Sequence, residues 1–149
     1  MRTALLASLL ATLFCLPVQA QREPGSLTVG AQVGRTGGLS LKLYASPPYT
    51  YQALLTFDGD DFARMALFRM WERPLPNSPV HVYYGPGLRL GGRDLTSGPS
   101  TVMDVLGAVG LNFYAERFEV FLHVTPTLRL QPDLTPHLGG GVGLRYDLF

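Results

Sequence analysis

The chain has 149 residues, with 12 basic and 11 acidic side chains and a formal net charge of +1 at pH 7. Proteins that bind nucleic acid neutralise phosphates with surplus lysine and arginine, so this balance argues against a nucleic-acid partner. The single cysteine excludes a disulfide within the chain. Mean hydropathy is slightly positive at +0.15 although the chain contains 17 Gly and 12 Pro.

The first 20 residues have the pattern of a secretory signal peptide. Arg2 is followed by an apolar stretch from Ala4 to Leu16 and then by Pro17, Val18, Gln19 and Ala20. The apolar stretch is shorter than the roughly 18 residues that a membrane-spanning helix needs. We therefore expect cleavage after Ala20 and a single mature domain over residues 21–149. Removing Arg2 leaves 11 basic against 11 acidic side chains and a net charge of zero.

The segment from Phe118 to Leu130, FEVFLHVTPTLRL, has an apolar residue at every second position. Only a β-strand sorts side chains with a period of two. A tilted strand crosses a bilayer in roughly 9 to 11 residues, so this segment is long enough to span one. It predicts a strand of a transmembrane barrel.

The same alternation, broken by Gly, Pro, Asp and Ser clusters, predicts eight strands in all. Their predicted ranges are Ser26–Val33, Leu39–Ala45, Thr50–Phe57, Phe62–Trp71, Val80–Leu90, Val102–Tyr114, Phe118–Leu130 and His137–Phe149.

The fourth segment, Phe62 to Trp71, has a second interpretation. Aspartates precede it, it contains strong helix formers and Pro74 follows it, so it also fits a helix. A helix would leave seven strands, whereas bacterial membrane barrels of this kind have an even number. We therefore favour the strand.

Glycine placement indicates which face of the strands points inward. Several glycines, such as Gly110 and Gly143, share strand parity with polar residues such as Asn112 and Arg145. Small residues inside a narrow barrel make room for long side chains, whereas on a water-facing surface they only weaken the strand. We therefore expect a polar interior and an apolar exterior. The opposite arrangement would describe a soluble lipocalin-like carrier in the periplasm.

Aromatic residues lie near the predicted strand ends, where an interfacial girdle would be expected. This set is Trp71, Tyr83, Tyr84, Phe113, Tyr114, Phe118, Tyr146 and Phe149.

Five segments carry a resemblance to a known family. They are GLSLK from Gly38, VYYGPGLRL from Val82, LGAVGLNF from Leu106, FEVFLHVTPTL from Phe118 and GGGVGLRYDLF from Gly139. The mature chain resembles small bacterial outer-membrane β-barrels of mostly uncharacterised role, similar in architecture to the membrane domain of outer membrane protein A. The resemblance implies an all-β fold: an eight-stranded antiparallel up-and-down transmembrane barrel. It also implies that the chain ends in an aromatic residue in phase with the lipid-facing series, whereas Phe149 is one step out of phase with Leu148.

Alternation places a set of polar side chains in the lumen, where charges are tolerable only when paired. We expect mutual pairing among Asp104, Glu119, Arg129, Arg145 and Asp147, with His123 as a hydrogen-bonded member of the same network. The other polar residues predicted to face inward are His81, Arg89 and Asn112.

One constellation could carry catalysis. Glu119, His123 and Thr125 share a face at spacings of four and two, so a base and a hydroxyl could meet. Barrel enzymes that deacylate or palmitoylate lipid A resemble this size and fold, but their pattern has serine in place of Thr125 and asparagine in place of Pro126. We therefore expect no enzymatic activity, with these three residues as the only candidates.

The chain offers no sign of a cofactor or a metal site. His81, His123 and His137 are scattered, and the mature chain lacks cysteine. We expect a small outer-membrane barrel with a structural or envelope-integrity role and a closed, side-chain-filled lumen. Its partners would be outer-membrane lipids and the barrel-assembly machinery, and we expect a monomer. The alternatives are a lipid-modifying barrel enzyme and the soluble lipid-binding barrel. Adhesion is disfavoured because only the loop from Gly91 to Ser100 is long.

Overall fold

The computed structural model of the chain describes residues 23–35, 37–58, 62–93, 101–131 and 133–149. The predicted signal peptide lies outside these ranges, as do residues 94–100 of the longest predicted loop. Within the described ranges, no helix is long and apolar enough to cross a membrane.

Eight antiparallel strands form one closed barrel in which each strand pairs with its neighbours in sequence and β1 pairs with β8. The strands are β1 (Leu27–Gly34), β2 (Gly38–Tyr44), β3 (Tyr49–Asp58), β4 (Phe62–Pro74), β5 (Val80–Arg93), β6 (Thr101–Ala115), β7 (Phe118–Gln131) and β8 (Thr135–Asp147).

The predicted strand order and count are confirmed, with small shifts at the strand ends. The segment from Phe62 is the strand β4 and extends to Pro74, so the helical interpretation is wrong. The last strand begins at Thr135 and ends at Asp147, two residues earlier at each end than predicted. Phe149 therefore lies beyond β8, and 79% of it is exposed.

Side chains alternate between the lumen and the exterior, as the period of two requires. In β2, Ser40 and Lys42 are fully buried, whereas Leu39 and Leu41 are 54% and 46% exposed. In β7 too, a polar side chain is buried and an apolar one is exposed: Glu119 is fully buried and Leu122 is 54% exposed. The polar side chains therefore face inward and the apolar ones outward, as glycine placement predicted.

The interior also contains an apolar layer that the alternation did not indicate. Along β6 the inward side chains run from Asp104 through Leu106 and Ala108 to Asn112 and Tyr114. The layer thus separates polar side chains at the two ends of the lumen. Its members are Leu54, Ala66, Phe68, Met70, Tyr83, Leu106, Ala108 and Phe121.

Glycines on the inner face give room to the large side chains of this layer. A Cβ on Gly110 would lie 2.5 Å from Cζ of Tyr83, and a Cβ on Gly143 would collide with the ring of Phe121. Real Cβ atoms do not approach other atoms so closely. The prediction that inward glycines make room for long side chains is therefore confirmed at both positions.

Part of the predicted aromatic set faces outward, as a girdle would require. Trp71 stacks on Tyr84 with ring centroids 6.0 Å apart, and Phe118 contacts Tyr146 at 5.2 Å, all on the outer face. Tyr49 joins the first pair, 6.1 Å from Trp71. The assignment of two further tyrosines is wrong, because their strand parity points them inward, where they are buried. These two are Tyr83 and Tyr114.

Candidate functional site

The largest polar group in the lumen surrounds Lys42, the only lysine of the chain. Its Nζ lies 2.7 Å from Oε2 of Glu72 and 2.9 Å from Oε1 of Glu119. Arg145 donates from Nη1 to the same Glu119 oxygen at 2.6 Å and from Nε to Oγ of Ser40 at 2.9 Å. We call Lys42, Glu72, Glu119 and Arg145 the Lys42 cluster.

The Lys42 cluster balances two positive against two negative charges. Burying an unpaired charge costs several kcal/mol, so side chains buried this deeply require this balance. The four residues come from β2, β4, β7 and β8, and only Glu119 and Arg145 lie opposite each other in the strand register. The other contacts cross the lumen, so the cluster connects strands that share no backbone ladder.

Two tyrosines complete the hydrogen bonding of the carboxylates. The hydroxyl of Tyr44 donates to Oε2 of Glu119 at 2.5 Å, and the hydroxyl of Tyr114 donates to Oε1 of Glu72. Both rings also lie near the ammonium of Lys42, with Nζ 4.6 Å and 5.8 Å from their centroids. Each carboxylate is thus held by a cation and a hydroxyl, which are the donors that a buried carboxylate requires.

Glu72 also connects the cluster to the end of the barrel that carries the chain termini. Nδ1 of His81 lies 3.2 Å from Oε1 of Glu72, and the His81 ring packs edge-on against Tyr114 at 4.8 Å. Both residues border a cavity of about 590 Å³ at this mouth, whose wall includes Pro47, Pro48 and Tyr49. The cluster therefore lies at the inner end of this cavity, with Glu72 in the cavity wall.

A second, smaller group lies at the other end of the lumen. Arg89 approaches Oδ2 of Asp104 through Nε at 2.6 Å and Nη2 at 2.5 Å, a two-pronged arrangement. Arg129 lies 3.5 Å from the other oxygen of Asp104, and 26% of its side chain is exposed. We call Arg89, Asp104 and Arg129 the Asp104 cluster.

The structure therefore distributes the predicted lumen network over two clusters. It brings Glu119 to Arg145 and Asp104 to Arg129, but these pairs belong to different ends of the lumen. Asp147 is partly buried near the end of β8, where its backbone N–H donates to the carbonyl of Arg117 at 2.8 Å.

The three catalytic candidates do not form a catalytic arrangement. Nδ1 of His123 is 3.2 Å from the Tyr83 hydroxyl, and its ring stacks on Phe121. Glu119 is engaged by Lys42, Arg145 and Tyr44. Among the described residues, neither Glu119 nor Thr125 has a hydrogen bond with His123. A general base needs hydrogen-bond reach of the proton it takes, which this geometry does not provide.

Sequence reasoning missed several residues of the inner wall. Lys42 and Tyr44 share the parity of Ser40 in β2, and Tyr83 and Tyr114 share that of His81 and Asn112, so strict alternation would have found them. Glu72 gave no such signal, because β4 has large apolar residues on both faces, including Leu67 outside and Phe68 inside. The described part of the chain has no group of three His, Cys, Asp or Glu side chains placed to hold a metal ion.

The sequence matches no protein-family model and no curated protein. The fold does match solved structures. One is the N-terminal β-barrel domain of Pseudomonas aeruginosa OprF, with a TM-score of 0.70 and 15% identity over 85% of this chain and all of that domain. Another is Neisserial surface protein A, with a TM-score of 0.47 and 14% identity over 81% of this chain and 92% of that chain.

The class of protein that this fold defines is the small, closed, eight-stranded barrel of the outer-membrane type. The predicted fold class is confirmed, and so is the predicted resemblance to small outer-membrane barrels.

Proposed function

We propose that this chain is a structural component of the outer membrane whose lumen is closed by its own side chains. The observation that carries the proposal is the inverted surface of the barrel. Leu67, Leu88, Val109 and Leu122 are each more than half exposed, at 53%, 53%, 55% and 54%, while Lys42 and Glu119 are fully buried. Water disfavours such an exterior, and hydrocarbon favours it.

The closed sheet supports the same proposal. In hydrocarbon every backbone polar group needs a partner within the protein, and a barrel provides one because it has no free edge. Here β1 closes on β8 over seven residue pairs, from Thr28 with Asp147 to Gly34 with Gly141.

A structural role is favoured over a wide pore because side chains occupy the lumen. Eight strands enclose a space just wide enough for side chains. The Lys42 cluster, the apolar layer and the Asp104 cluster follow one another along it. A soluble lipocalin-like carrier would need the opposite arrangement, with an apolar interior to receive its ligand. A lipid-modifying enzyme would need its catalytic groups to meet, and His123 lies against Tyr83 instead.

The partners that fit this proposal are outer-membrane lipids around the apolar exterior and, during assembly, the machinery that inserts barrels. The strand pairing is complete within one chain, so we propose a monomer. The signal peptide expected over residues 1–20 would direct export to the periplasm, from which the barrel is inserted.

The test is to express the full-length chain, separate the membranes and run the outer-membrane fraction on a gel with and without boiling. We expect the protein in that fraction, with a heat-dependent shift in mobility because a closed barrel resists detergent until heated. Recovery as a soluble periplasmic protein would overturn the proposal and favour a carrier with a lipid-like ligand.

A further inference from the structure

A cationic aromatic patch lies on the outer face of β3, β4 and β5. The guanidinium carbon of Arg69 lies 4.8 Å from the ring centroid of Tyr49 and 5.6 Å from that of Trp71. Trp71 stacks in turn on Tyr84. Arg73 follows on the same face of β4 and is exposed. We call these five residues the Arg69 patch.

Within the described residues, no opposite charge neutralises the Arg69 patch. In the described part of the chain, no carboxylate lies within ion-pair distance of Arg69 or Arg73. Glu72, between them in sequence, faces inward and binds Lys42. An arginine on the lipid-facing surface of a barrel is costly near the midplane and far less so at the interface. The patch therefore carries positive charge that no described carboxylate neutralises, and an anion could bind there.

The patch lies at the level of a membrane interface. Tyr49 begins β3, Trp71 is three residues from the end of β4, and the pair Phe118 and Tyr146 occupies the same end of the opposite wall. Aromatic residues gather at headgroup level in such barrels. This end carries the chain termini, whereas the longest connection, from β5 to β6, joins the strands at the opposite end, as expected when the longer loops are extracellular and this end is periplasmic.

We propose that the Arg69 patch binds the phosphate of an anionic phospholipid in the periplasmic leaflet of the outer membrane. The inference rests on the proposed function, since it requires the barrel to sit in a bilayer. The guanidinium offers several N–H donors in a plane that suits phosphate oxygens, and stacking on Tyr49 and Trp71 holds that plane in place. The indole N–H of Trp71 and the hydroxyls of Tyr49 and Tyr84 add neutral donors beside it.

The single tryptophan makes the site directly measurable, because Trp71 is the only tryptophan in the chain. The purified barrel is refolded into vesicles that mix phosphatidylglycerol with phosphatidylcholine, with the acyl chains of one lipid brominated. In a second preparation of the same composition, the acyl chains of the other lipid are brominated instead. Bromine quenches a nearby indole, so the ratio of quenching in the two preparations measures which lipid occupies the site beside Trp71.

We expect phosphatidylglycerol to quench Trp71 more strongly than its share of the bilayer predicts. A surface arginine contributes about a fivefold preference for an anionic lipid, so Arg69→Gln and Arg73→Gln should each reduce the preference by about that factor. Arg69→Lys should retain part of it, because it keeps the charge but loses the planar stack. Arg35→Gln is the matched control, since Arg35 is exposed at the opposite end and bonds the Leu138 carbonyl.

Quenching in proportion to each lipid's share of the bilayer would overturn the inference, as would a preference that survives when both Arg69 and Arg73 are replaced. The same samples are run on a gel with and without boiling. A barrel that shows the heat-dependent shift but no lipid preference leaves the proposed function intact and removes only the lipid site. A chain without the shift in any vesicle overturns the proposed function and the lipid site with it.

Discussion

Arg145 and Glu119 face each other across β8 and β7, with Nη1 of the arginine 2.6 Å from Oε1 of the glutamate and both side chains fully buried. Lys42 contacts the same carboxylate oxygen from the far side of the lumen at 2.9 Å. Glu119 therefore pairs with two cations, and its replacement should weaken the contacts of both.

Glu119→Gln should destabilise the folded barrel by about 3–5 kcal/mol, because it leaves Lys42 and Arg145 with a single carboxylate between them. The measurement is the free energy of unfolding from a urea titration in detergent or vesicles. Glu116→Gln, in the exposed β6–β7 turn, is the control and should change stability little. Equal free energies of unfolding for the two variants would contradict the prediction that the Lys42 cluster stabilises the barrel.

Double-mutant cycles should distinguish the two lumen clusters. Glu119 and Arg145 should couple by about 0.5–3 kcal/mol, because they share a direct ion pair. Glu119 and Arg129 should be additive within about 0.5 kcal/mol, since they have no common partner and are separated by ten residues of β7, roughly 33 Å. Strong coupling between Glu119 and Arg129 would show that the lumen forms one network.

Gly110→Ala should cost about 1–3 kcal/mol through overpacking, because the new methyl group would meet both the ring of Tyr83 and the carbonyl of Leu122. The comparison is Gly92→Ala in the same sheet, where a Cβ would have nothing within 4 Å. Unfolding titrations of the two variants measure the difference. Similar stabilities would mean that Tyr83 and the backbone at Leu122 can both shift at little cost.

The folded barrel should release no fatty acid from lipid A or phospholipid, because His123 bonds Tyr83 and is not positioned by Glu119 or Thr125. Chromatography of the lipids after incubation measures any product. Should product form, a His123→Ala variant that remains folded and loses the activity would restore the enzyme hypothesis.

The sequence was sufficient to predict the strands and, except in β4, their inner and outer faces, because both depend on a local period of two. Partners across the lumen were not predictable, since they depend on the closure of the barrel. Arg145 and Glu119 are 26 residues apart and lie on adjacent strands, but Lys42 and Glu119 are 77 apart and share no ladder. No local pattern in the sequence indicates that Lys42 and Glu119 are in contact.

The misassigned tyrosines show a different limit. Position near a strand end suggested an interfacial girdle for Tyr83 and Tyr114, whereas parity decided that both lie in the lumen. Strand parity gave no guidance in β4, where Phe68 and Met70 face inward although Met65 and Leu67, which face outward, are just as apolar. A strand that is apolar on both faces carries no alternation from which to infer its orientation.

The contacts of Lys42 also constrain how the molecule can come apart. A fragment containing only the first four strands would retain the bond to Glu72 but not the bond to Glu119, and one containing only the last four would hold Arg145 and Glu119 without Lys42. Each half would be left with polar groups satisfied only by the other. We therefore expect the barrel to fold and unfold in a single cooperative transition, without a stable intermediate in which only half of the strands are formed.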